Sequence, residues 1–246
     1  SSKPVTEPFL LIPLTTVICS YYRKELLRAQ PFCSSDETQV YFLAVQEEFH
    51  EQGCLSDDEW KRGQRFHRNA DRWEYLGARR ALRILLAEHL GVREDQMRFL
   101  KRENGKPYLE SGSLFFNVSH SRGWAAIAIS REGEVGVDLE ETSRILSFSE
   151  LASPFFSRAE GEIFFSLSEN KQRELFYRLW TRKEAFLKAK GTGITKGLDH
   201  YEMIAGEGQW LEREGFQVLD LQKAPAGYFA ALACSKALKV KVFSCP

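Results

Sequence analysis

The sequence predicts an α+β protein of two similar-sized halves that meet near Glu132 to Glu134. Three observations carry that prediction. Helix-like and strand-like segments alternate irregularly, each half holds one long helical segment plus several short β-rich runs, and no fixed-period repeat or low-complexity stretch intervenes. With 246 residues, 43% of them apolar and 18 of them Phe, the chain can bury a sizeable core. Its 34 basic and 34 acidic residues cancel, which argues against a chain that coats nucleic acid or an anionic membrane. Neither partner is expected, and any anion site must be local. Cysteines 19, 33, 54, 234 and 245 are scattered and contain no CxxC pair, so neither a disulfide framework nor a zinc site is indicated. A reducing, cytoplasmic setting fits.

In chain order, residues 1–37 read as an N-terminal arm. Their apolar run "PFLLIPLTTVICS" is interrupted by Pro13 and too short to cross a bilayer core of about 30 Å. The N-terminal half, 38–133, opens on the alternating strand "TQVYFLAVQ". Residues 57–90 read as helical, with Ser56 as N-cap and the acids of "SDDEW" in the first turn. "FFNVSHS", "WAAIAIS" and "VGVDLE" follow as short strands. The C-terminal half, 134–246, becomes helical at "SRAEGEIFFSL" and again over 172–190. It ends in "GQWLEREGFQVLDL", "GYFAALAC" and "ALKVKVFS", which read as antiparallel strands.

Several constellations could carry chemistry. In "GVDLE" a strand turns Asp138 and Glu140 to one face, about 6.6 Å apart, where both could lean towards one hard cation. A solvated strand face is the other reading of the same pattern. In "WTRKEAFLKAKGTG", Phe176, Leu179, Trp180, Phe186 and Leu187 form an apolar helix stripe, with Glu184 and Lys188 one turn apart at its edge. An ordinary surface ion pair also fits. Lys183 falls inside the stripe, where a charge needs a partner or a route to water. From Trp60 to Arg83 the chain has eight Lys or Arg against two acids, and one helix would align Arg72, Arg79 and Arg83 over about 16 Å. That stripe could follow a phosphorylated ligand, or its arginines could snorkel over Tyr75, Leu82 and Leu86. "NVSHS" sets His120 between two hydroxyls at a strand end, and "NGKPY" reads as a turn that could hold Lys106 against an anionic or nucleotide ligand.

Taken in order, "GKP", "FNVSHS", "GVDLE" and "LWTRKEAFLKAKGTG" resemble the signature motifs of the 4′-phosphopantetheinyl transferases. Length and two-part layout are similar to the monomeric Sfp-type branch, not to the short trimeric holo-acyl-carrier-protein synthases. The resemblance implies two pseudo-twofold-related α+β halves with coenzyme A in the cleft between them. It implies Mg²⁺-dependent transfer of the phosphopantetheine arm from coenzyme A to a serine of an apo acyl carrier or peptidyl carrier protein, by a monomer. A non-catalytic coenzyme A or carrier-protein binder of the same fold is the alternative. On matching positions, Asp138, Glu140 and Glu184 resemble the metal ligands, with Glu184 also the expected base. His120, with Ser119, and Lys183 and Lys188 resemble phosphate-binding residues, and Lys106 and Pro107 the wall around the adenine. Arg72 resembles the basic contact to the 3′-phosphate, Arg79 is a further candidate, and Arg62 and Arg65 are weaker. The family's paired lysines before this helix lack a clear counterpart, and Glu59 stands at one of those positions.

Overall fold

A computed structural model describes residues 37–45, 52–143, 148, 154–193, 197–236 and 239–245. The arm, except Glu37, and its apolar run lie outside them. The elements are β1 (Glu37–Ala44), α1 (Asp57–Gln64), α2 (Asn69–Leu90), β2 (Phe99–Lys101), β3 (Pro107–Leu109), β4 (Phe115–Ser121), β5 (Trp124–Ser130), β6 (Val135–Glu141), α3 (Arg158–Ser166), α4 (Glu169–Lys190), β7 (Leu211–Arg213), β8 (Phe216–Asp220), β9 (Tyr228–Cys234) and β10 (Lys239–Cys245). Among the described residues no helix is long and apolar enough to cross a membrane.

The two halves repeat one plan. In each, a first strand is followed by a short helix, a long helix of 22 residues, and a hairpin whose last strand pairs back on the first. Even the helix starts match. Ser56 and Glu59 form a capping box on α1, and Ser157 and Glu160 form one on α3, so each short helix satisfies its own first N–H groups. Both long helices stop at a glycine in the left-handed conformation, Gly91 and Gly191, which an L side chain would strain.

Alternation along β1 builds the layers. Tyr41 and Leu43 join Leu82 and Leu86 of α2 and Ile127 and Ile129 of β5 in one core. Val40 and Phe42 face the other way and meet Val137, Leu139 and Leu232 of the second sheet. A third core, with Phe164, Phe176, Leu179 and Phe186, lies between α4 and that second sheet. The order is therefore helix, sheet, sheet, helix.

Two expectations are corrected. The helical stretch 57–90 is two helices, broken at Arg65–Arg68. The last strand is not an antiparallel continuation of the tail: β10 pairs parallel with β1, in a sheet of order β10-β1-β5-β4. Both edges of β9 are already taken, by β6 and β8, so β10 cannot pair with the strand before it, and it adds instead to the edge of β1 that β5 leaves open.

Gly136 brings α4 onto the second sheet. A Cβ at this position would stand 2.1 Å from the carbonyl oxygen of Ala185 and 2.3 Å from the amide nitrogen of Ala189, both backbone atoms of α4. Gly136→Ala is expected to lower the thermal midpoint by about 5–10 °C, as an overpacked contact of roughly 2–3 kcal/mol would. An unchanged midpoint in calorimetry would mean that the helix can withdraw without penalty.

Candidate active site

The site begins as a seam between the halves. β6 would expose one backbone edge of the second sheet, but side chains of β4 close it. The amide of Val137 donates to Asn117 Oδ1 (3.0 Å), that of Leu139 to Ser119 Oγ (3.3 Å) and that of Glu141 to Ser121 Oγ (3.2 Å). The period of two on each strand makes this zipper possible, since Asn117, Ser119 and Ser121 share one face. Their neighbour His120 points to the opposite side.

Above the seam α4 lowers Glu184 and Lys188 onto Asp138 and Glu140. Lys188 Nζ donates to Asp138 Oδ1 at 2.6 Å and to Ser119 Oγ at 3.0 Å, and Ser119 in turn donates to the same carboxylate oxygen at 3.0 Å. Trp180 Nε1 donates to Glu140 Oε1 at 3.2 Å. The other oxygen of Asp138, Oδ2, and Oε1 of Glu184 are both buried and have no hydrogen-bond partner. Buried bare carboxylate oxygens are costly unless something cationic meets them. Burial first, then the charges of Asp138 and Glu140, push the Glu184 carboxyl up to about 7, against the pull of Lys188. Among the described residues no three Asp, Glu, His or Cys groups are already drawn around one point that could hold a metal. The donor chemistry nevertheless fits a hard divalent cation, because the unpartnered atoms are carboxylate oxygens of neighbouring like charges.

On the other side of β4 lies a cavity of about 880 Å³, lined in part by Arg62, Arg65, Arg79, Tyr75, Pro107 and His120. It is rich in cations but not uniformly so. Glu59 stands in its wall, 2.7 Å from Arg79 Nε and 2.6 Å from Arg83 Nε. Burial alone would raise the Glu59 pKa; the two guanidinium groups win, and it lies below the usual value. The Arg79 guanidinium also covers the ring of Phe99 at 4.5 Å, and Arg62 covers Tyr75 at 5.2 Å. His120 Nδ1 lies 3.3 Å from Glu74 Oε2.

Two family models match the chain, the 4′-phosphopantetheinyl transferase N-terminal model over residues 44–132 and the 4′-phosphopantetheinyl transferase superfamily model over 134–232. The chain belongs to the 4′-phosphopantetheinyl transferase superfamily. It is 44% identical over 151 residues to slr0495 of Synechocystis sp., provisionally named a 4′-phosphopantetheinyl transferase, covering 60% of this chain and 61% of that one. It is 40% identical over 147 residues to the 4′-phosphopantetheinyl transferase HetI of Nostoc sp., covering 58% and 62%. Against the 4′-phosphopantetheinyl transferase Sfp of Bacillus subtilis the identity is 29% over 150 residues, covering 61% and 66%. The chain thus spans somewhat less than two thirds of the length of these relatives.

Within this superfamily member the expected site residues separate into three groups. Asp138, Glu140, Glu184, Lys188 and Ser119 come together at the seam, and His120, Pro107 and Arg79 line the cavity beside it. Three lysine and arginine expectations change. Lys183 is not at the cleft: its side chain is 1% exposed, and its three protons go to Glu160 Oε2 (2.5 Å), the Phe155 carbonyl (2.7 Å) and the Leu198 carbonyl (2.8 Å). It repeats the pairing of Arg83 with Glu59 in the first half, long helix to capping-box glutamate, and no proton is left for a phosphate. Lys106 likewise gives its ammonium to Glu134 Oε2 (2.7 Å) and to the carbonyls of Ala189 (3.0 Å) and Val135 (3.1 Å). Its side chain ties the halves together, with Asn104 bonding the Gly191 carbonyl next to it, and only its backbone is left to form a wall. Arg72 donates to the Phe66 carbonyl at 3.2 Å and is not among the residues lining the cavity.

Lys183→Met is expected to destabilise the protein by about 3–5 kcal/mol in urea unfolding, because Glu160 keeps a buried, uncompensated charge. Binding of anions in the cavity of the folded protein should stay the same. Wild-type stability with lost affinity would return Lys183 to the ligand site.

The seam contacts of Asn117 and Ser121, the close approach at Gly136 and the Trp180 contact to Glu140 are not among the expectations from sequence. The first two were legible from the period of "FNVSHS"; for Gly136 and for the Trp180 contact to Glu140, pairings between distant segments, no local pattern exists.

Proposed function

We propose that the chain transfers the 4′-phosphopantetheine arm from coenzyme A to a serine of an apo acyl carrier or peptidyl carrier protein, with Mg²⁺, releasing adenosine 3′,5′-bisphosphate. The observation that carries this reading is the pair of buried, unpartnered carboxylate oxygens of Asp138 and Glu184 beside Lys188, across β4 from a cationic cavity. The names of the relatives support the same chemistry. The reading extends to a monomer, because one chain supplies both walls of the cleft, and the scattered cysteines suit a reducing, cytoplasmic setting.

Asp138, Glu140 and Glu184 would hold the Mg²⁺, which when bound would supply positive charge to the phosphate oxygens. The adenosine bisphosphate end occupies the cavity, with His120 and the arginines of its wall turned to phosphate and Pro107 beside the base. Diphosphate resists attack because its oxygens repel a nucleophile, so the ammonium of Lys188 lowers the barrier by meeting charge that grows on the leaving group. The serine oxygen bonds to the phosphorus of the phosphopantetheine arm as the bridging oxygen departs with the adenosine bisphosphate. Glu184 takes the serine proton, from its place between the nucleophile and the acidic seam.

The test is chromatography of a mixture of this protein, coenzyme A, MgCl₂ and an apo carrier protein. Adenosine 3′,5′-bisphosphate should appear only when all four are present. Its absence with every carrier tried would favour a binding module without transfer.

A further inference from the structure

We propose that Glu74 is the positioning residue of His120, setting which ring nitrogen meets the ligand in the cavity. This rests on the reading of His120 as a contact to a phosphate of coenzyme A.

Glu74 lies on α2 and reaches the β4–β5 turn with both carboxylate oxygens. Oε1 accepts the backbone N–H of Gly123 at 2.7 Å, and Oε2 stands 3.3 Å from His120 Nδ1. Its side chain is 17% exposed, while that of His120 is 37% exposed. The turn itself is tightly specified. Arg122 and Gly123 both have positive φ, and the Arg122 carbonyl accepts the hydroxyl of Tyr228 from the other half. Glu74 is therefore anchored at one oxygen by rigid backbone and is free to direct the imidazole with the other. Burial acts to raise its pKa, but the His120 and Gly123 hydrogen bonds more than offset that, so the group stays ionised at neutral pH.

An ionised carboxylate can only accept, so the proton on the neutral imidazole must sit on Nδ1. Nε2 is then the nitrogen that faces the cavity, which His120 lines. When the ring takes a second proton, Glu74 balances the added charge and the Nε2–H points at an anion. This is the arrangement by which an outer carboxylate orients a histidine that binds something else. Without Glu74 the ring can rotate and take either tautomer, and the loss falls on ligand binding, not on the chemical step.

Glu74→Gln separates positioning from packing. The amide keeps the shape and can still accept from Gly123, but its NH₂ then faces Nδ1 and forces the proton to Nε2. In long-range ¹H–¹⁵N spectra of protein labelled at histidine, with the His120 signals assigned by their loss in His120→Gln, the wild type at alkaline pH should show Nδ1–H and Glu74→Gln should show Nε2–H. In the transfer assay the apparent KM for coenzyme A should rise about tenfold in Glu74→Gln, as loss of a charged hydrogen bond does, with kcat within about twofold. The same substitution in a His120→Gln background should leave KM where His120→Gln alone puts it. Nε2–H in the wild type, or a KM effect of Glu74→Gln undiminished in the His120→Gln background, would overturn the proposal. If no carrier is modified at all, the transferase reading fails, and the tautomer spectra, taken on the protein alone, still decide whether Glu74 orients His120.

Discussion

Glu184→Gln is expected to lower phosphopantetheine transfer about a thousandfold and, in the metal-free protein, to raise the thermal midpoint at pH 8. Both effects have one origin. The Glu184 carboxyl is raised from 4.5 to about 7 by burial and by the charges of Asp138 and Glu140, so the folded protein holds that proton more tightly than the unfolded chain does. A raised acid pKa gives a contribution to stability that is fully present below pH 4.5 and is lost as pH climbs through about 7, in total roughly 3 kcal/mol. Gln cannot ionise, so the variant should match the wild type near pH 4 and exceed it at pH 8. Mg²⁺ should then stabilise the wild type at pH 8 and do little for the variant. Equal midpoint differences at both pH values, measured by differential scanning calorimetry with and without MgCl₂, would show that Glu184 is not the destabilised acid of this site.

Lys188→Ala should cut kcat by about a hundredfold or more, since in the proposed mechanism it removes the cation that meets the charge growing during transfer. The variant also leaves the buried Asp138 without its 2.6 Å partner, beside Glu184. In the metal-free protein that should lower stability by up to about 3 kcal/mol, less for the 28% of the Lys188 side chain that water reaches. Adding Mg²⁺ should restore most of the stability but not the rate, because a metal can replace the charge next to Asp138 but not the ammonium at the leaving group. Recovery of both would reduce Lys188 to a placeholder for the metal. Recovery of neither would mean that Lys188 holds the seam together by packing.

Local pattern made much of this protein readable. The strand period of "GVDLE" put Asp138 and Glu140 on one face, and the helix period put Glu184 and Lys188 at the edge of an apolar stripe, as found. Lys183 shows where projection stops helping. Its position inside the stripe was correct, but what meets it there is Glu160, from a helix that begins more than a turn of sequence away. A signal existed: Ser157-x-x-Glu160 repeats Ser56-x-x-Glu59, and both glutamates go on to pair with the following long helix. Lys106 shows a second limit. A lysine in a turn looks available for a ligand, and only the approach of Glu134 and the end of α4 shows that its protons are taken. Parallel pairing of β10 with β1 joins the two ends of the described chain, and neither segment alone carries information about the other.

Gly136 links the fold to the site most economically. It is the residue that lets the backbone of α4 touch β6, and on that contact depends the meeting of Glu184 and Lys188 with Asp138. The acidic seam is thus a product of the join between two repeated halves, each with a core between its own helix and sheet.

Intact-mass spectrometry of a panel of apo carrier proteins, each incubated with this protein, coenzyme A and MgCl₂, tests the central claim most directly. At least one carrier should gain the mass of a single phosphopantetheine at its serine, and the gain should vanish when Glu184→Gln replaces the wild type. A panel that stays entirely apo, or a gain that the Glu184→Gln protein supports equally well, would contradict it.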